Sequence, residues 1–146
     1  MTRINTVDPK VLTDQHLLAE HRELPRIFPL ARAALERGDV SGPERYTMGA
    51  GHVRFFYQRT AWLAVRHRAL TAECERRGFR VQRGELVPIK GVEWAPDDDD
   101  VVVNLERLRE KLAAPPRPGF YRHCGVVVGA DWYDLSARLG ACGVMK

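Results

Sequence analysis

Apolar positions recur at helical spacing in three stretches of the chain. In the first, Leu17, Leu18, Leu24 and Ile27 form a stripe that Leu30, Ala31, Ala34 and Leu35 continue. Thr13 is placed to cap its start with Asp14 in the first turn, and Gly38 to end it. Pro25 and Pro29 fall inside this pattern; each removes a backbone donor and crowds the preceding turn, so the spacing predicts a kinked or broken helix. Val40 to Gly51 reads as a loop. A long second helix is predicted over His52 to Arg77, with Val53, Phe56, Leu63, Leu70 and Cys74 on its core face and Gly78-Phe79 as a left-handed cap. Residues 80–100 carry little periodicity. A third helix is predicted over Val101 to Ala114, its N-terminus capped and charge-matched by Asp97 to Asp100 and its end set by Pro115 and Pro116. Beyond it come Phe120-Tyr121-Arg122-His123, a glycine-containing apolar stretch, and a short helix over Trp132 to Leu139. No repeat and no sheet pattern emerges. The predicted class is all-α: a compact single domain of three main helices, the first kinked at proline, with an extended N-terminal segment and an irregular C-terminal tail.

Composition narrows the function classes. A chain of 146 residues with 45% hydrophobic content is of single-domain length and can build one ordinary core. No run approaches the roughly 18 apolar residues of a membrane span, so no membrane partner is expected. The opening MTRINTVDPK has no apolar segment of the secretory type; the cytoplasm, or the nucleoid of a bacterium, is the expected location. Cys74, Cys124 and Cys142 are odd in number and scattered, with no zinc-type spacing, so neither a disulfide nor a metal is expected. The net charge of +4 is carried mostly by arginine, clustered at 22, 26, 32 and 37 and again at 54, 59, 66 and 68. Guanidinium groups suit phosphate oxygens, whereas Asp97 to Asp100 repel them. DNA, if bound, is expected on one face.

Two features could carry chemistry. His16, Glu20 and Glu23 share a helix face, seven residues being nearly two turns, with Arg22 and Arg26 on an adjacent basic edge. A solvated face with ordinary ion pairs, each worth well under about 1 kcal/mol, accounts for the same pattern. The second feature is Thr2, small enough for Met1 to be removed before it. An α-amine titrates near 7.7–8.0, against roughly 10.4 for lysine, and nearby Arg3, Arg22 and Arg26 would lower it further. Such an amine is a competent nucleophile at neutral pH. A threonine after the first methionine is also common by chance, so the residues alone leave both readings open.

The opening MTRIN, the blocks Asp14-Gln15-His16-Leu17 and Glu20-His21-Arg22-Glu23-Leu24-Pro25-Arg26, Gly49-Ala50-Gly51-His52-Val53 with Phe55-Phe56-Tyr57, and Ala72-Glu73-Cys74 with Arg77-Gly78-Phe79 occur in one register. In this the chain resembles the phage pyrimidine-dimer DNA glycosylases, the endonuclease V family, over about residues 1 to 125. The resemblance implies a three-helix protein whose N-terminal segment threads between helices to the active site. It implies damaged double-stranded DNA as partner, a monomer as the acting form, and a base flipped from the duplex. It assigns Thr2 as the nucleophile and Glu23 as the carboxylate for proton transfer. Arg22 and Arg26 would hold phosphates, with Arg3 and Gln15 near the extruded nucleotide and His16, one face-turn from Glu23, fit to orient the sugar or relay a proton. Arg107 and Lys111 fall where the family places phosphate contacts, and Phe120-Tyr121-Arg122 resembles an aromatic-basic segment that usually begins with tryptophan. No cofactor is implied. Residues 126–146 have no counterpart and stand as an extension. Two alternatives remain: the same chemistry on oxidised or ring-opened purines, and a non-catalytic module that binds damaged DNA.

Overall fold

A computed structural model describes residues 3–134 of the chain. The described residues are mostly helical. Thr13 caps α1 (Asp14–Glu23), its hydroxyl accepting the His16 N–H. The chain then tightens into a 3-10 turn over Leu24–Arg26 and resumes as α2 (Ile27–Glu36). The interruption lies at Pro25. Pro29 causes none, because it sits in the first turn of α2, where backbone N–H groups have no acceptor within the helix.

The second predicted helix is likewise divided. A short α3 (His52–Phe55) and a 3-10 turn over Phe56–Gln58 precede α4 (Thr60–Arg76). Arg59, at φ −129° and ψ 32°, is the break. Gly38 and Gly78, at φ +74° and +86°, end α2 and α4 in the left-handed conformation that glycine adopts without strain. The acidic run forms the start of α5 (Asp98–Ala113) instead of preceding it. Asp97 and Asp100 exchange hydrogen bonds in a capping box, so the helix begins three residues before the predicted Val101.

The class is therefore helical with one exception that periodicity did not show. β1 (Arg122–His123) and β2 (Val126–Val127) pair antiparallel, with Arg122 opposite Val127. Two-residue strands are too short to leave an alternation in the sequence. Of the helix expected over Trp132 to Leu139, residues 135–139 lie outside the described residues; Tyr133 is fully buried, and Trp132 donates its indole N–H to the Val11 carbonyl. Among the described residues no helix is long and apolar enough to cross a membrane.

The core lies between α1, α2, α4 and α5. Leu17, Leu24, Ile27, Ala31, Phe56, Leu63, Leu70 and Cys74 fill it as predicted. Leu30 and Leu35, expected in the stripe, are instead 48% and 46% exposed; the break at Pro25 turns α2 so that Phe28, Ala31 and Ala34 face inward. The irregular stretch before α5 is tied down by Trp94, whose ring meets Phe55, Phe56 and Trp62 edge-on at 5.0–5.8 Å.

The N-terminal segment is threaded into this core, not laid over it. Ile4 to Val7 are all buried, and their polar groups are met by side chains from four helices. Asn104 Oδ1 of α5 accepts the N–H groups of Thr6 and Val7 at 2.7 and 3.2 Å, and its amide donates to Asn5 Oδ1. Arg66 of α4 donates to the Val7 carbonyl at 2.6 Å.

Candidate active site

A chain held so tightly at residues 4–7 delivers Arg3 to a fixed place. Arg3 lines a cleft of about 170 Å³ between α1 and α5. From α1 the helical repeat brings His16, Ala19, Glu20 and Glu23; from α5 it brings Arg107, Leu108 and Lys111, with Asn5 and Met48 closing the floor. Six residues singled out from sequence thus meet at one site: Arg3, His16, Glu20, Glu23, Arg107 and Lys111.

The two carboxylates differ sharply in environment. Glu20, grouped with Glu23 by helical spacing, belongs to the core. Both its oxygens accept from Arg66, at 2.8 and 3.0 Å, and Oε1 also accepts from Asn5. Neither side chain of that pair is more than 1% exposed. Glu20 is fully occupied. Glu23 is sheltered but reachable, its side chain 14% exposed. Arg26 Nη1 donates to it at 2.8 Å and Arg22 Nε at 3.3 Å, from arginines whose own side chains are two-thirds exposed. Such surface pairs are weak, so a phosphate can take over either guanidinium without large cost.

With Glu20 neutralised by Arg66, the described residues of the cleft set Arg3, Arg107 and Lys111 against Glu23 and give it a net positive charge. Burial holds the Arg3 guanidinium below its usual range, and the nearby Arg107 charge lowers it further. His16 is neutral: burial lowers it to about 4, and Lys111 adds to the effect. Its Nδ1 lies 2.8 Å from Thr13 Oγ1 and 3.3 Å from the Tyr133 hydroxyl, which fixes the ring against the cleft wall.

The remaining predicted residues stand elsewhere. Tyr121 is buried behind the site, stacked on His16 at 4.9 Å between ring centroids. Phe120 meets Tyr121 edge-on and lies under the Arg117 guanidinium at 5.0 Å. The Arg122 backbone N–H donates to Gln15 Oε1, pinning the hairpin to α1. Gln15, Phe120, Tyr121 and Arg122 do not line the cleft; Tyr121 acts on it only through His16. Thr2 lies outside the described residues.

Several residues that shape the site escaped the sequence reading. Asn5, Arg66 and Asn104 bind the threaded segment and Glu20. His52 and Tyr46 hold Ile4: His52 Nε2 accepts the Ile4 N–H at 2.8 Å, and the Tyr46 hydroxyl donates to the Ile4 carbonyl at 2.7 Å. A signal for two of these was present. Arg66 and Asn104 each occupy a core-facing position in an apolar stripe (Leu63 to Leu70, Val101 to Leu108), where a polar residue must find a buried partner. Among the described residues no group of three His, Cys, Asp or Glu side chains could hold a metal ion.

The family model described as pyrimidine dimer DNA glycosylase matches residues 1–85, more than half the chain. The match takes in the threaded segment, all of α1 with Glu23 and its two arginines, and α4; α5 and the hairpin follow it. On that match, which spans the buried N-terminal thread and the carboxylate between two exposed arginines, the chain belongs to the pyrimidine dimer DNA glycosylase family.

Proposed function

We propose that the protein is a DNA-repair glycosylase with abasic-site lyase activity on cyclobutane pyrimidine dimers, acting as a monomer through the α-amine of Thr2. The observation that carries this is the meeting of Arg3 and Glu23 in one cleft. A trans peptide spans about 3.8 Å between α-carbons, so the residue before Arg3 is within one residue's reach of the cleft. Removal of Met1 leaves its amine as a nucleophile that needs no buried lysine.

The chemistry follows from that placement. The neutral amine attacks the anomeric carbon of the damaged nucleotide, a C–N bond forms, and the glycosidic bond breaks with its electron pair leaving on the base. The sugar ring opens to give an imine. The imine acidifies the neighbouring C2′–H; loss of that proton and departure of the 3′ phosphate complete a β-elimination. Glu23 carries the proton transfers and offsets the positive charge that develops on the sugar. Arg22, Arg26, Arg107 and Lys111 grip the phosphates, and the neutral His16 ring and Arg3 flank the extruded nucleotide. Gln15 and Tyr121 support this wall from behind, with Phe120 and Arg122 near the DNA beyond it. Residues 1–125 carry the chemistry, and of the 126–146 extension Val126–Val127 and Tyr133 pack back onto this unit, Tyr133 against His16.

Reduction with borohydride tests the reading. Dimer-containing duplex incubated with the processed protein is expected to give a covalent adduct. An adduct on oxidised-purine DNA alone would move the lesion assignment, and none on any lesion or abasic site would leave only a binding module.

A further inference from the structure

The threaded segment has two anchors of different kinds. Downstream, Thr6 and Val7 are bound by Asn104 and Arg66. Upstream, the Arg3–Ile4 peptide has one partner for its N–H, the Nε2 of His52 at 2.8 Å. The opposite ring nitrogen, Nδ1, lies 2.6 Å from the Thr47 carbonyl, which can only accept. Nδ1 therefore bears the hydrogen and Nε2 is the acceptor. The ring is 2% exposed and meets Tyr46 edge-on at 5.6 Å, while Tyr46 itself donates to the Ile4 carbonyl. Histidine and tyrosine thus grip Ile4 from its N–H and its C=O, next to Arg3, which lines the cleft.

The grip is placed to control direction. Rotation about the bonds of Arg3 swings everything upstream of it, and the plane of the Arg3–Ile4 peptide is the base from which that swing starts. A nucleophile must approach its carbon to within about 3–3.5 Å in line, and a misplacement of roughly 1 Å can slow reaction about a hundredfold. We infer that His52 is a positioning residue for the nucleophile, holding the Arg3–Ile4 peptide so that the α-amine leaves the core toward Glu23. This rests on the amine reading above. It requires the imidazole to present a lone pair at Nε2, a role that a residue of similar volume without an acceptor there cannot fill.

The test is single-turnover borohydride trapping by the processed full-length protein on dimer-containing duplex, with affinity measured in parallel. His52→Asn keeps a group near Nδ1 and loses the acceptor at Nε2. It is expected to trap at least about tenfold more slowly, with affinity for the same DNA within about threefold of wild type. Hydrogen exchange at the Ile4 amide should accelerate while amides in the middle of α4 stay protected. His52→Gln, whose amide oxygen can reach Ile4, should recover most of the rate. Trapping by His52→Asn at the wild-type rate, or a joint loss of affinity and α4 protection in both variants, overturns the inference. Should His52→Asn not fold, Tyr46→Phe removes the other half of the grip and keeps the ring; slower trapping at unchanged affinity supports the inference, and wild-type trapping overturns it. Absence of any adduct with the wild-type protein is a different outcome: it removes the amine reading, and the inference with it.

Discussion

Glu20 and Arg66 face each other through two hydrogen bonds of 2.8 and 3.0 Å at the centre of the fold, one helical turn from the exposed end of Glu23. The pair joins α1 to α4, and through Asn5 and Val7 it also binds the threaded segment. Two carboxylates three residues apart therefore have separate duties: one locks the scaffold and the other stays available.

Removing one partner should show how much the lock contributes. Glu20→Gln or Arg66→Met leaves a buried charge uncompensated, which typically costs about 3–5 kcal/mol. Urea unfolding is expected to shift by that order. A shift under about 1 kcal/mol would mean that water or another side chain takes the vacated place.

Glu23→Gln should act in the opposite sense. The carboxylate borders the cleft and, among the described residues, pairs with exposed arginines, so stability is expected to change by less than about 1 kcal/mol. Strand cleavage should be lost while affinity for damaged duplex is largely kept. Loss of affinity in a gel-shift titration would assign Glu23 to the scaffold.

Arg107 and Lys111 are predicted to contact phosphate. Each alanine variant should reduce the slope of log affinity against log salt by about 0.9 per lost contact. The weakening should be uniform across sequences. An unchanged slope would place the DNA elsewhere.

Stability should fall in mild acid. His16 and His52 are both kept neutral, burial lowering each to about 4. In the unfolded chain they take up protons near pH 6.5, so below that pH the unfolded state binds more protons than the folded one. Stability is present above about 6.5 and is lost as pH falls toward 4, by up to about 1.4 kcal/mol per pH unit for each histidine. Unfolding midpoints should be level near neutrality and decline from about pH 6 to 4. A level profile across that window would show both rings to be solvated.

Much of this fold was legible from spacing. The stripe Leu17, Leu24, Ile27 and the break at Pro25 placed α1 and α2, because apolar periodicity and a missing backbone donor are local properties. Arg59 was not legible: its break depends on Phe55 and Phe56 turning to meet Trp94, a contact between distant segments. Helical spacing likewise grouped Glu20 with Glu23 correctly on one face, but which carboxylate meets Arg66 is decided by the depth at which α1 packs on α4. The aromatic-basic segment was placed at the lesion by resemblance; in the structure Tyr121 supports His16 from behind.

The proposed nucleophile is an N-terminal amine. The chain has four lysines, at 10, 90, 111 and 146, and Lys111 lines the same cleft, so an adduct alone does not identify the nitrogen. Proteolysis and mass mapping of the borohydride-reduced adduct do. The adduct is predicted on the N-terminal peptide beginning at Thr2, and Lys111→Arg should trap as well as wild type. An adduct mapped to the Lys111 peptide, with Thr2 unmodified, would contradict the claim.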